Sequence, residues 1–204
     1  LEPGDYIVQI TAPTGYKSST GTNGSLTGPF EPAKDVDVVI ADNQDRGKTV
    51  GTSQVIQSLP ITLTNFQEPD ATVDTDDNNG NLTVDFGIYQ PGKIGDFVFD
   101  DVNRNGQQDA GDAGVQGITV NLYDSSSSTV PVATATTDAN GKYLFDNLKP
   151  ETYVVEFVKS SLPDNKQFTT QNQGIDATDS DANIGTGKSD PIILGIGENN
   201  LTVD

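Results

Sequence analysis

The chain has 204 residues, 33% of them hydrophobic, and 30 acidic residues against 11 basic ones give a net charge of −19. That balance sets nucleic acid and anionic membrane aside as partners, and no run is apolar for long enough to insert into a bilayer. Cys, His, Met and Trp are absent, which removes disulfides, thiol and imidazole catalysis and the usual zinc and copper ligands, and leaves oxygen-donor metals such as calcium or magnesium open.

The chain opens on a strand pattern in which Tyr6, Val8 and Ile10 share one face. An acidic, Gly-rich stretch follows Gly15. Strand patterns resume at Leu59, Ile61 and Leu63, and again at Leu82, Val84, Phe86 and Ile88. Tyr89–Lys93 reads Y-Q-P-G-K, a Pro/Gly punctuation before a new apolar run at Ile94. Beyond it, alternation predicts strands carrying Ile118, Val120 and Leu122, then Tyr143 and Phe145, then Tyr153, Val155 and Phe157. Ile192, Leu194 and Ile196, followed by Leu201 and Val203, continue the pattern. Period two means half-buried strands, and D-A-N-G at Asp138–Gly141 is a turn between two of them. No amphipathic helix is evident. Many short strands with turn signals between them predict an all-β chain of β-sandwiches.

Two internal matches show that the chain repeats itself. L-E-P-G-D-Y-I-V-Q-I from Leu1 matches L-K-P-E-T-Y-V-V-E-F from Leu148, and N-L-T-V-D occurs at Asn81 and again at Asn200. The second match has the shorter offset, so the first repeat carries extra residues, in the stretch after Gly15. Residues 93–204 therefore form a nearly complete repeat. Residues 1–92 read as the later portion of a longer one whose early strands come from the same polypeptide or from a neighbour.

The sharpest motif is Asp101-Val-Asn103-Arg-Asn105-Gly106-Gln107-Gln-Asp109-Ala-Gly-Asp112. Calcium takes six to eight oxygens in flexible geometry, and alternating residues of a tight loop can supply them. Asp101, Asn103 and Asn105 hold the first, third and fifth positions of such a loop, and Gly106 permits the sharp turn at the sixth. Gln107 offers its backbone carbonyl, Asp109 acts directly or through water, and Asp112 stands at the twelfth position where Glu is usual. The competing reading is a polar Asn/Gly turn. Strand patterns on both sides argue against a helix–loop–helix sensor.

Other acidic groups are less specific. Asp179 and Asp181 lie in D-S-D-A-N after Asp176. Asp42 and Asp45 follow Asp35 and Asp37, and Asp74 and Asp76 precede Asp77. Dense carboxylates repel unless a cation lies between them, so these are candidate ligands, with solvated acidic loops as the alternative.

Four segments in this order, I-G-D-F-V-F-D-D-V-N-R-N-G-Q-Q-D, G-V-Q-G-I-T-V-N-L-Y, T-D-A-N-G-K-Y-L-F-D-N-L-K-P-E-T-Y-V-V-E-F and D-S-D-A-N-I-G-T-G-K-S-D-P-I-I-L, resemble the B-type repeat of serine–aspartate-repeat surface proteins, within the wider collagen-adhesin B-like group. The resemblance covers residues 93–204 almost throughout. It implies tandem Greek-key, Ig-like β-sandwich repeats with calcium-binding loops, secreted to the cell surface or into extracellular fibres. It also carries Asp101, Asn103, Asn105, Gln107 and Asp112 over as Ca2+ ligands and supports Asp179 and Asp181. Some relatives form a Lys–Asn isopeptide bond promoted by an acid. Glu156 could stand where that acid sits, but its match in the first repeat is Gln9 and no lysine lies inside Ile94–Asp100.

The expected function is thus a calcium-stiffened stalk, spacer or filament block whose partners are neighbouring repeats of the same chain or protein. The alternative is an adhesin module binding a glycan or protein ligand through its loops, with Tyr16 and Phe30 as the available aromatics. Catalysis is not expected: the acids sit in loop-borne clusters, without a nucleophile motif.

Overall fold

The computed structural model describes residues 1–18, 48–50, 54–58, 60–65, 86–125 and 127–204. Two compact units divide the chain, Leu1–Gln90 and Pro91–Asp204. Asp42, Asp45, Asp74 and Asp76 lie outside the described residues, as do Phe30 and the first N-L-T-V-D segment.

In the first unit, short strands pair at separate places. Strand β1 (Gly4–Tyr6) runs antiparallel to β6 (Ile61–Leu63), and β2 (Gln9–Thr11) runs antiparallel to β5 (Val55–Gln57), which also pairs with β4 (Lys48–Thr49). Strand β3 (Lys17–Ser18) pairs with β7 (Ile88–Tyr89). Among the described residues of this unit, Ala12, Ile56 and Ile61 are the buried apolar ones. The expected continuous face of Tyr6, Val8 and Ile10 is interrupted, with Val8 40% exposed. The physical reason is local. Val8 N–H donates to Ser58 Oγ and Ser58 N–H donates to Val8 O, so the run breaks there into two strands with different partners.

The second unit is a β-sandwich. One sheet has the order β10–β9–β12–β13, from β9 (Thr119–Tyr123), β10 (Ala133–Thr136), β12 (Thr152–Phe157) and β13 (Ile192–Ile193). The other has the order β11–β8–β14, from β8 (Gly92–Phe97), β11 (Lys142–Leu148) and β14 (Asn199–Asn200). Its pairs are antiparallel except β14 with β8, which are parallel. The core forms between the sheets because alternate residues point inward. Val120, Leu122, Tyr153, Val155 and Phe157 come from one sheet, Ile94, Tyr143 and Phe145 from the other, and Ile118, Leu194 and Val203 close the edges. Tyr143 and Phe157 meet edge to face, with ring centroids 5.6 Å apart.

The Asp138–Gly141 turn forms as expected. Asp138 Oδ1 accepts the Asn140 and Lys142 amides, and Gly141 N–H donates to Asp138 O. The predicted alternation fails at the end of the chain. Ile196 is 73% and Leu201 48% exposed, because Gly195 N–H donates to Glu198 Oε2 and Gly197 takes φ 66°, turning the backbone out of the strand.

Candidate metal centre

The Asp101–Asp112 loop leaves the sandwich just after β8 and returns before β9. Its base is fastened by backbone bonds. Asp100 N–H donates to Ala113 O, Val115 N–H donates to Val98 O, and Phe99 bridges Gly114. Gly114 has to be glycine, since a Cβ there would lie 1.9 Å from Asn140 O. Within the loop, Arg104 and Gly106 take left-handed backbone angles, φ 61° and 79°. At Gly106 the glycine is needed twice over, because a Cβ would also meet Thr170 O at 2.4 Å.

These turns join the predicted side chains in one hydrogen-bonded network. Asp101 Oδ1 accepts the Asn105 amide at 3.2 Å, and Asp101 Oδ2 accepts Gly106 N–H at 2.9 Å and the Thr169 hydroxyl at 2.6 Å. Asn103 Oδ1 accepts the Asn105 amide at 3.0 Å, and Asn105 Oδ1 accepts the Gln107 amide at 2.8 Å. Asp109 Oδ2 is the hub, receiving the side-chain amides of Asn103 and Asn105, each at 2.8 Å. Asp112 ties the loop's two ends, its Oδ2 accepting the Asp109 amide at 2.9 Å and its Oδ1 the Val102 amide at 3.3 Å. Its short side chain thus reaches the loop despite lacking the extra methylene of Glu.

Electrostatics separates the loop from the acids around it. Burial pushes the Asp101 carboxyl up, but hydrogen bonds from Thr169 and from the Gly106, Arg104 and Asn105 amides outweigh it and hold the group below its ordinary value. These donors keep the carboxyl ionised, the form in which it can ligate a cation. Asp179 sits next to the loop through its bridge to Gln107, with Ser180 N–H donating to Gly106 O and Gln108 N–H to Thr178 O. Asp179 is buried, and burial with the neighbouring Asp176 raises its pKa. Asp181 is pushed up to about 7 by burial first, with Asp176, Asp179 and Asp190 adding to it against a hydrogen bond from the Asp204 amide.

The structure therefore gathers Asp101, Asn103, Asn105, Asp109 and Asp112 into one network, with Gln107 and Asp179 on its flank. Among the described residues, no three acidic side chains converge tightly enough to hold an ion by carboxylates alone. The donor set still fits calcium, which accepts amide and backbone oxygens beside carboxylates. Asn103 Oδ1, Asn105 Oδ1 and each Asp112 oxygen accept one of these donors and keep a second lone pair, whereas Asp101 Oδ2 and Asp109 Oδ2 accept two each. Calcium at this loop would bring positive charge to Asp101, Asp109 and Asp112, with the Asn103 and Asn105 amide oxygens beside them.

Sequence reasoning missed Thr169, which comes from a distant segment and carries no spacing signal. Nor did it show that Asp96 and Asp204, in strand-like runs where an acid reads as a solvent-facing residue, come near each other and Asp181. Glu156 is not free at the surface: its Oε2 accepts Tyr123 Oη at 2.6 Å and Asn121 Nδ2 at 3.2 Å.

The fold and loop define a small all-β sandwich domain with an oxygen-donor loop at one end of its first strand. Residues 92–204 match the SdrD B-like domain, and the chain belongs to that family. Serine-aspartate repeat-containing protein F of Staphylococcus epidermidis is 30% identical over 178 residues, covering 86% of this chain and 8% of that protein. Protein I of the same naming from Staphylococcus saprophyticus is 33% identical over 161 residues, covering 78% of this chain and 7% of that protein. Protein D from Staphylococcus aureus (strain Newman) is 38% identical over 233 aligned positions, covering 77% and 18% respectively. The chain thus spans a small part of the length of the relatives it matches.

Proposed function

We propose that this chain is a calcium-stabilised structural segment of a secreted bacterial surface or fibre protein, serving as a stiff spacer or filament block rather than as a catalyst. The observation that supports this reading best is the Asp101–Asp112 loop, whose carboxylate and amide side chains are joined in one hydrogen-bonded network around Asp109 while its base is fastened to the sandwich. The family and its staphylococcal relatives favour a place at the cell surface, with neighbouring repeats as partners.

Calcium would act here through mass action. An ion that binds the folded state alone stabilises it by RT ln(1 + [Ca]/Kd), about 1.4 kcal/mol per site at tenfold excess over Kd. Thermal unfolding of the chain in calcium, in chelator and in magnesium tests the reading. Calcium alone should raise the melting temperature, and Asp101→Ala should remove a large share of that rise. Equal melting in all three conditions would reduce the loop to an ordinary polar turn and leave the fold without a calcium role.

A further inference from the structure

The Asp101–Asp112 loop contains a residue pair with chemistry of its own. Asn105 is followed by Gly106, and an asparagine before a glycine brings an electrophile and a nucleophile together in sequence. With no Cβ on the glycine, the Gly106 nitrogen is open to Asn105 Cγ, and a freely moving backbone brings the two together. Asn105 is exposed, so water reaches it. In the reaction the Gly106 nitrogen gives its proton to solvent and bonds to Asn105 Cγ. The bond from Cγ to Nδ2 breaks, and Nδ2 takes a proton from water and leaves as ammonia. Water then opens the cyclic imide at Cγ, giving aspartate, or at the backbone carbonyl carbon, giving isoaspartate. Nothing is oxidised or reduced, and water is the only co-reactant.

The folded loop opposes each step. Both ends of the Asn105 amide are held, since Oδ1 accepts the Gln107 amide and Nδ2 donates to Asp109 Oδ2, each at 2.8 Å. The nucleophile is held as well, because Gly106 N–H donates to Asp101 Oδ2 at 2.9 Å. Removing that proton places negative charge on nitrogen beside a carboxylate, which is unfavourable. Nor is Gly106 free to swing towards the side chain, because Thr170 O and Gln173 fill the space beside its α-carbon. The same unit has a second such pair, Asn140–Gly141, held by other contacts. There Gly141 N–H donates to Asp138 O at 2.9 Å and the Asn140 amide to Asp138 Oδ1 at 2.8 Å.

We propose that Asn105 is a latent modification site, which the loop's hydrogen bonds keep closed and which deamidates without an enzyme when the loop opens. The change runs one way. Aspartate in place of Asn105 turns the donor that Asp109 Oδ2 now receives into a second carboxylate, so attraction becomes repulsion. Isoaspartate in addition lengthens the backbone by a methylene, next to the Asn105 amide that Asp101 and Asn103 both accept. Either product keeps the network from closing again, so the loop records that it has opened. The inference rests on the closed loop, with or without an ion in it. Thermal melts therefore decide the calcium reading, and conversion rates decide this one.

Peptide mass spectrometry tests it, following the amide-to-acid conversion at Asn105 and Asn140 in the 204-residue chain. The chain is kept folded in mildly alkaline calcium buffer, and chain unfolded in guanidinium gives the unguarded rate at each position. Asn105 should convert at least about tenfold more slowly in the folded chain, because only the opened fraction reacts. Equal rates overturn the proposal. Asp109→Ala removes the acceptor of Asn105 Nδ2, and should raise the Asn105 rate severalfold while Asn140 keeps the parent's rate. An Asn105 rate that stays at the parent's level overturns the proposal too. Should both asparagines speed up, the variant has unfolded its unit, and the parent chain in low guanidinium decides instead. There Asn105 should accelerate at concentrations that leave Asn140 protected. Acceleration of the two together, only at the unfolding transition, means that the loop does not open by itself and overturns the proposal. Asn105→Asp checks the consequence. Hydrogen exchange at the Gly106 and Gln107 amides should quicken, and unchanged protection there overturns the one-way record.

Discussion

Thr137 illustrates how much a single hydroxyl settles. It is 3% exposed, its Oγ1 accepts the Ile118 amide at 2.9 Å, and it donates to Val115 O at 2.7 Å. Thr137→Val keeps the shape but leaves a buried donor and a carbonyl short of partners. It should cost about 1–3 kcal/mol in urea unfolding. Phe157→Ala acts by another route, removing a ring that packs edge to face on Tyr143 between the sheets. Cavity and transfer effects together should make it the more damaging of the two, at about 3–5 kcal/mol. If urea unfolding finds the Phe157 variant no worse than the Thr137 variant, packing is not the dominant support of this core.

At the scale of elements, the attachment of the loop depends on backbone contact between two turns. Gly114 lies against Asn140 in the Asp138–Gly141 turn, so Gly114→Ala has to push that turn or the Phe99–Gly114 bridge away. A loss of more than about 2 kcal/mol is expected, with faster hydrogen exchange at the Asp100 and Val115 amides, which donate across the loop base. Unchanged protection there would mean the loop is held some other way. The strands that bury these contacts were largely legible in the sequence. Ile118, Val120, Leu122, Tyr143, Phe145, Tyr153, Val155 and Phe157 all stand where alternation placed them. Alternation misled at Val8, Ile196 and Leu201, where a side-chain hydroxyl or a glycine turn redirects the backbone without altering the apolar pattern. The loop's membership was readable because its spacing is local. The Asp96–Asp181–Asp204 cluster was not, because its members meet only through tertiary packing.

For the whole molecule, a net charge of −19 makes stability depend on what neutralises the acids. Burial, with Asp96 and Asp181 nearby, pushes Asp204 up to about 8, and burial with Asp176, Asp179 and Asp190 pushes Asp181 up to about 7. Both values lie above the ordinary carboxylate range, so between that range and about 8 the folded chain binds more protons than the unfolded one. Their contribution is therefore complete at low pH and is lost as pH rises through about 7 and then 8. In chelator, the melting temperature should fall across that window, and Asp204→Asn should flatten the fall. A profile in which the parent and the variant run parallel would place the pH dependence elsewhere.

The parallel pairing of β14 with β8 has a mechanical consequence. Asn199 lies beside Lys93 and Asn200 beside Ile94, so the first and last strands of the sandwich are neighbours pointing the same way. A pull that draws the beginning of β8 and the end of β14 apart slides these strands along each other. Their hydrogen bonds are then loaded side by side in shear, and have to break together rather than peel open one at a time.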